Sequence, residues 1–144
     1  MTTQSVNPRT GEPFGPEYPA SSPASLNEVL RDSRAAFERW AQWSDEARAD
    51  ALERCAAELD DGAAELADLA DSETGLGVTR LRGEVARSSF QLRMFADFVR
   101  PGTHRMTSDD PAVPGPPPHG HPQLLRQLVP LGPVAVFGDR KRHV

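Results

Sequence analysis

Prolines divide this chain before any other feature does. Five of the fourteen fall in residues 1–23 and seven in residues 101–122. Proline locks φ at about −65° and has no N–H to donate, so neither stretch suits a helix interior or a central strand. The first, with the turn signals Asn7-Pro8 and Thr10-Gly11, reads as an extended, irregular lead-in. The second, residues 102–122 with Pro116-Pro117-Pro118, reads as a loop with polyproline character. It is long for a compact domain, where about 4–6 residues are typical.

Between them, residues 24–101 carry three helical patterns. The first spans residues 25–40. Ser25 and Glu28 have capping-box spacing, and Ser22 before Pro23 is a rival start. Leu26, Val29, Leu30, Ser33, Phe37 and Trp40 share one stripe. The second pattern starts at Ser44 and repeats Leu52, Cys55, Leu59, Leu66 and Leu69. Gly62 bends it or divides it in two, and Gly75 suits a left-handed stop. The third covers residues 78–100. It has one face of Leu81, Val85, Leu92, Phe95 and Val99 and an opposite face of Phe90, Met94 and Phe98. A helix apolar on two sides expects cover on two sides. The first two helices can supply one cover; the other has no obvious source.

Two strand-like stretches follow, at residues 123–129 and at Val134-Ala135-Val136-Phe137. The second is apolar on both faces, as in a buried strand of a parallel sheet. Such a strand needs neighbours that residues 139–144 do not supply. The fold class expected is therefore mainly α with one or two β-strands, an incomplete piece of a larger α/β fold. Three helices bury little, so marginal stability is expected.

The 144 residues carry a formal net charge of −5 and are 38% hydrophobic. That balance argues against nucleic acid or an anionic membrane as partner. The start lacks the basic and apolar regions of a signal peptide, and no run approaches the ~20 apolar residues of a membrane span. With Cys55 alone no internal disulfide forms, which fits a reducing, cytoplasmic setting.

No constellation of nucleophile, base and oxyanion donor can be assembled. Cys55 lies on the apolar stripe and reads as packing. His104, His119 and His121 lack zinc-like partners, and Asp109-Asp110 lacks a calcium-loop ladder. Glu58, Asp60, Asp61, Glu65 and Asp68 read as a solvated face. Arg140-Lys141-Arg142-His143 reads as a solvated tail or a stretch of foreign reading frame. Phosphate-binding glycine motifs are absent. No catalytic, cofactor-binding or metal-binding residue is assigned.

Several stretches nevertheless resemble the aldehyde dehydrogenase superfamily. Asn7-Pro8-Arg9-Thr10-Gly11-Glu12 is similar to its N-P-x-T-G-E opening. Ala35-Ala36-Phe37-Glu38-Arg39-Trp40 resembles the end of its first helix. Arg48, Leu52 and Ala56-Ala57-Glu58-Leu59 resemble its second helix, and Glu73-Thr74-Gly75-Leu76 its E-T-G turn. Arg80-Leu81-Arg82-Gly83-Glu84-Val85-Ala86-Arg87 and Gln91-Leu92-Arg93-Met94-Phe95-Ala96 resemble the NADP-type branch that includes 2,5-dioxopentanoate (α-ketoglutaric semialdehyde) dehydrogenases. Residues 129–138 resemble the strand entering that family's cofactor domain. The likeness stops at Gly138, where the family continues with a segment like A-S-N-F-P.

The resemblance implies an enzyme that oxidises an aldehyde to a carboxylate with NADP or NAD, through a cysteine thioester and a glutamate base. Those residues, and most of the dinucleotide-binding sheet, lie beyond residue 138 in the family. The chain is thus expected to be a truncated, inactive dehydrogenase that binds no cofactor alone. The alternatives are a subunit of a split enzyme and a helical protein-interaction module. A complementary C-terminal fragment or self-association is the expected partnership, with residues 124–129 contributing to an oligomerisation sheet only if partner strands exist.

Overall fold

The computed structural model describes residues 2–136. Phe137, Gly138 and the basic tail lie outside them. The residues expected as an irregular lead-in are extended but paired. Strands β1 (Thr2–Val6) and β2 (Pro13–Pro19) form an antiparallel hairpin with an irregularity between Thr3 and Ser5. Its loop explains the Asn-Pro-Arg-Thr-Gly-Glu motif residue by residue. The Asn7 side chain accepts from the Arg9 N–H at 2.9 Å, and the Asn7 backbone bonds to Gly11 and Glu12. Gly11 takes φ +76°, where a Cβ would be strained.

Four helices follow among the described residues: α1 (Pro23–Trp40), α2 (Asp45–Asp61), α3 (Ala63–Thr74) and α4 (Val78–Val99). Of the two possible starts for α1, Ser22 is the cap; its hydroxyl accepts from the Ser25 N–H at 3.0 Å. Proline at the first helical position displaces the Ser25 and Glu28 box. Ser44 caps α2 through the Ala47 N–H at 3.1 Å. Gly62 divides the second pattern, so the three patterns become four helices. Gly75 ends α3 at φ +70°, its N–H bonded to the Asp71 carbonyl at 2.8 Å.

Packing departs further from the helical stripes. The layer consists of α4 against α2 and α3. Its most buried residues are small: Ala49 and Ala56 on α2, Ala67 on α3, Ser89 and Ala96 on α4, with Leu81 the one larger member. Ala49 and Ala56 are seven residues apart, as are Ser89 and Ala96. That spacing runs a line of small side chains along each helix and lets the two backbones approach closely. No large side chain is fully buried among the described residues. Helix α1, expected to cover α4, stands outside this layer, and none of its residues is buried.

Phe90, Met94 and Phe98 are exposed, as their unpartnered face requires; Phe95, expected inside, is exposed too. The cause is the seam: it runs along Ser89 and Ala96, with Phe95 rotated about 100° away. The residues expected as a structureless loop hold a 3₁₀ turn (Thr103–Arg105), strand β3 (Ser108–Asp110) and a bridge between Val113 and His121. Gly120 is obligatory there, because a Cβ would collide with the Gly115 carbonyl. Of the strand expected at residues 123–129, only β4 (Leu124–Arg126) forms, antiparallel to β3. Residues 134–136, expected as a buried strand, are open and unpaired. A strand needs a neighbour for its backbone groups, and the described residues place none beside it.

Candidate functional site

Three ion-pair nodes hold the elements together. At the first, the Arg9 guanidinium clasps Asp71 with two parallel bonds, Nη1 to Oδ2 at 2.9 Å and Nη2 to Oδ1 at 2.8 Å. Asp71 also accepts from the Gly77 N–H at 2.7 Å, and the Ser5 hydroxyl donates to Glu73 at 2.7 Å. Pro8 lies against Gly75, its Cγ 3.3 Å from where a Cβ would stand. The hairpin motif and the Glu-Thr-Gly turn, far apart in the sequence, thus form one unit.

Asp45 is the second node. It accepts from Arg105 through Nε at 3.1 Å and Nη2 at 2.8 Å, and from Arg48 at 3.1 Å. The His104 Nε2 lies 3.8 Å away. Arg48 reaches on to the Ala41 carbonyl at 3.0 Å and closes the C-terminal end of α1, where a cation is favoured. Gly102, left-handed at φ +73°, lets the chain turn beside Asp45; a Cβ there would sit 3.1 Å from Oδ2.

Arg100 forms the third node, bridging the end of α4 to Glu46, Asp50 at 3.1 Å and Glu53 at 2.6 Å on α2. Arg93, about two turns back along α4, meets Asp60 at the C-terminal end of α2 at 2.7 Å. The start of α2 therefore meets the end of α4, and the pair is antiparallel. Asp60, expected on a solvated face, belongs to this clamp. Nothing in the sequence marks the pairs made by Arg9, Arg93, Arg100 and Arg105, because each partner lies tens of positions away.

These contacts perturb the carboxylates. Hydrogen bonds from Arg105 hold Asp45 below the usual carboxylate range, and Arg9 with the Gly77 N–H does the same for Asp71. The Ser89 hydroxyl and then Arg93 lower Asp60. Arg9, Arg100 and Arg105 are raised by their carboxylate partners. A carboxylate lowered in the folded state stabilises the fold above its unfolded value and loses that contribution as pH falls through the folded one. The thermal midpoint is accordingly expected to stay level from about pH 8 to 5 and to drop below about pH 4, the unfolded carboxylate range. Scanning calorimetry between neutral and acidic pH checks this; a midpoint rising on acidification would contradict it.

The residues singled out for chemistry do not converge. Cys55, expected on the apolar stripe, is exposed on α2; the buried line runs through Ala56, and Cys55 is turned about 100° from it. His104 sits with Asp45, while the His121 backbone pairs with Val113 and its Nδ1 lies 2.9 Å from the Pro122 carbonyl. Asp109 accepts from Gln123 at 2.8 and 2.9 Å and clamps β3 to β4. No group of three or more His, Cys, Asp or Glu side chains suited to a metal occurs among the described residues. Nor is any helix among them long and apolar enough to cross a membrane.

The described residues are mainly helical, with two small antiparallel strand pairs tied to the helices by the ion-pair nodes. The aldehyde dehydrogenase family model matches residues 1–138, and the chain belongs to that family. It is 38% identical over 138 residues to alpha-ketoglutaric semialdehyde dehydrogenase 2 of Azospirillum brasilense, covering 95% of this chain and 26% of that protein. It is 34% identical over 140 residues to alpha-ketoglutaric semialdehyde dehydrogenase of Acinetobacter baylyi, with the same two coverages. The crystal structure of an aldehyde dehydrogenase from Brucella melitensis biovar abortus 2308 matches with a TM-score of 0.70 at 26% identity, over 78% of this chain and 22% of that one. The chain thus spans about a quarter of the length of the curated relatives it matches.

The family is NAD(P)-dependent. The described residues do not fit a dinucleotide. Their sheets are two antiparallel pairs, with no parallel strand leading through a glycine turn into a helix to receive a pyrophosphate.

Proposed function

We propose that this chain forms the N-terminal supporting layer of a cytoplasmic, NADP-linked aldehyde dehydrogenase that oxidises a short oxo-acid semialdehyde such as 2,5-dioxopentanoate. The observation that carries the reading is the combination of 38% identity over 138 residues with coverage of only 26% of that relative. The substrate class follows from the activity for which both relatives are named. The chemistry needs a thiolate nucleophile, a general base, oxyanion donors and a dinucleotide sheet. The resemblance puts all of these in the portion of the family that the chain does not span. By itself the chain supports the enzyme without catalysing the reaction.

Purified chain mixed with 2,5-dioxopentanoate and NADP is expected to form no NADPH above a buffer blank, and isothermal titration with NADP to give no binding heat. Measurable turnover by the chain alone would overturn the reading. The split-enzyme subunit and the helical interaction module have no observation of their own in favour. The family match accounts for the helices and for the residues that follow them through 138.

A further inference from the structure

We draw no further inference here: the strongest candidate, the recess that Arg48, His104 and Arg105 line with Leu128, Val129 and Pro130, belongs to the Asp45 node already described, and its nitrogens without a partner among the described residues, Arg48 Nε and His104 Nδ1, are closed off from solvent, so nothing in the structure shows what ligand would reach them.

Discussion

Ala56→Leu is expected to destabilise the helical layer by about 3 kcal/mol, the upper range for overpacking a tight contact. Ala56 is 0% exposed and lies on α2 in line with Ala49, against a helix whose own buried residues include Ser89 and Ala96. Such a seam works because Ala49, Ala56, Ser89 and Ala96, the buried residues along it, carry nothing longer than a methyl or hydroxymethyl group. A leucine there must push α4 away, and the Arg93–Asp60 and Arg100–Glu53 pairs, at 2.7 and 2.6 Å, would have to stretch with it. In a layer with no large side chain fully buried, a loss of this size is a large part of the whole. Circular dichroism melts should show the midpoint lowered by roughly 10 °C. Ala64→Leu, on the exposed side of α3, should stay within about 0.5 kcal/mol of wild type. Equal melting of Ala56→Leu and wild type would show that the α2–α4 seam is not close-packed.

Asp45→Ala should have the next largest effect, about 1–2 kcal/mol at neutral pH. That value is taken from charge-assisted hydrogen bonds and discounted for partial solvent access. The carboxylate joins three pieces of chain at once. It faces Arg48 within α2, Arg105 in the 3₁₀ turn, and the left-handed Gly102 that leads out of α4. Without it, two guanidinium groups face each other with no anion between them. Arg48 would still hold the Ala41 carbonyl, whereas Arg105 would lose both of its side-chain hydrogen bonds. The loss should therefore concentrate in residues 102–130, where the Leu128 N–H donates to the Arg105 carbonyl at 2.7 Å. Hydrogen exchange should be faster there than in α2–α4. Uniform exchange across the chain would argue against Asp45 as the tie to this segment. Asp45→Asn should also flatten part of the acid slope expected for the wild type, since it removes one of the lowered carboxylates.

Much of this architecture is legible in local residues. Ser44 and Gly75 mark their helix boundaries correctly because capping is decided within four positions. Gly62 reads as a break for the same reason. The hairpin at residues 2–19 escapes a reading of the sequence because its prolines mask a strand signal; Pro13 and Pro19 sit at the ends of β2, where a missing donor is tolerated. Hydrophobicity alone would place Cys55 and Phe95 inside. The buried line is instead made of alanine and serine, which carry almost no hydrophobic signal. Residues 134–136 carry a parallel-sheet pattern, yet a pattern states only what a segment would pair with if neighbours were present.

The sequence by itself determined the family, the helix boundaries and the turn at residues 7–12. The boundaries and the turn rest on short-range chemistry: a cap, a left-handed glycine, an Asn7 side chain closing its own turn. Only the tertiary structure decided which faces pack and which stay open. It withdrew α1 from the helical layer, ran the seam along Ala49, Ala56, Ser89 and Ala96, and joined Arg9 to Asp71 and Arg105 to Asp45. Those choices depend on backbone approach and on charges meeting across long stretches of chain, and no local window of residues contains that information.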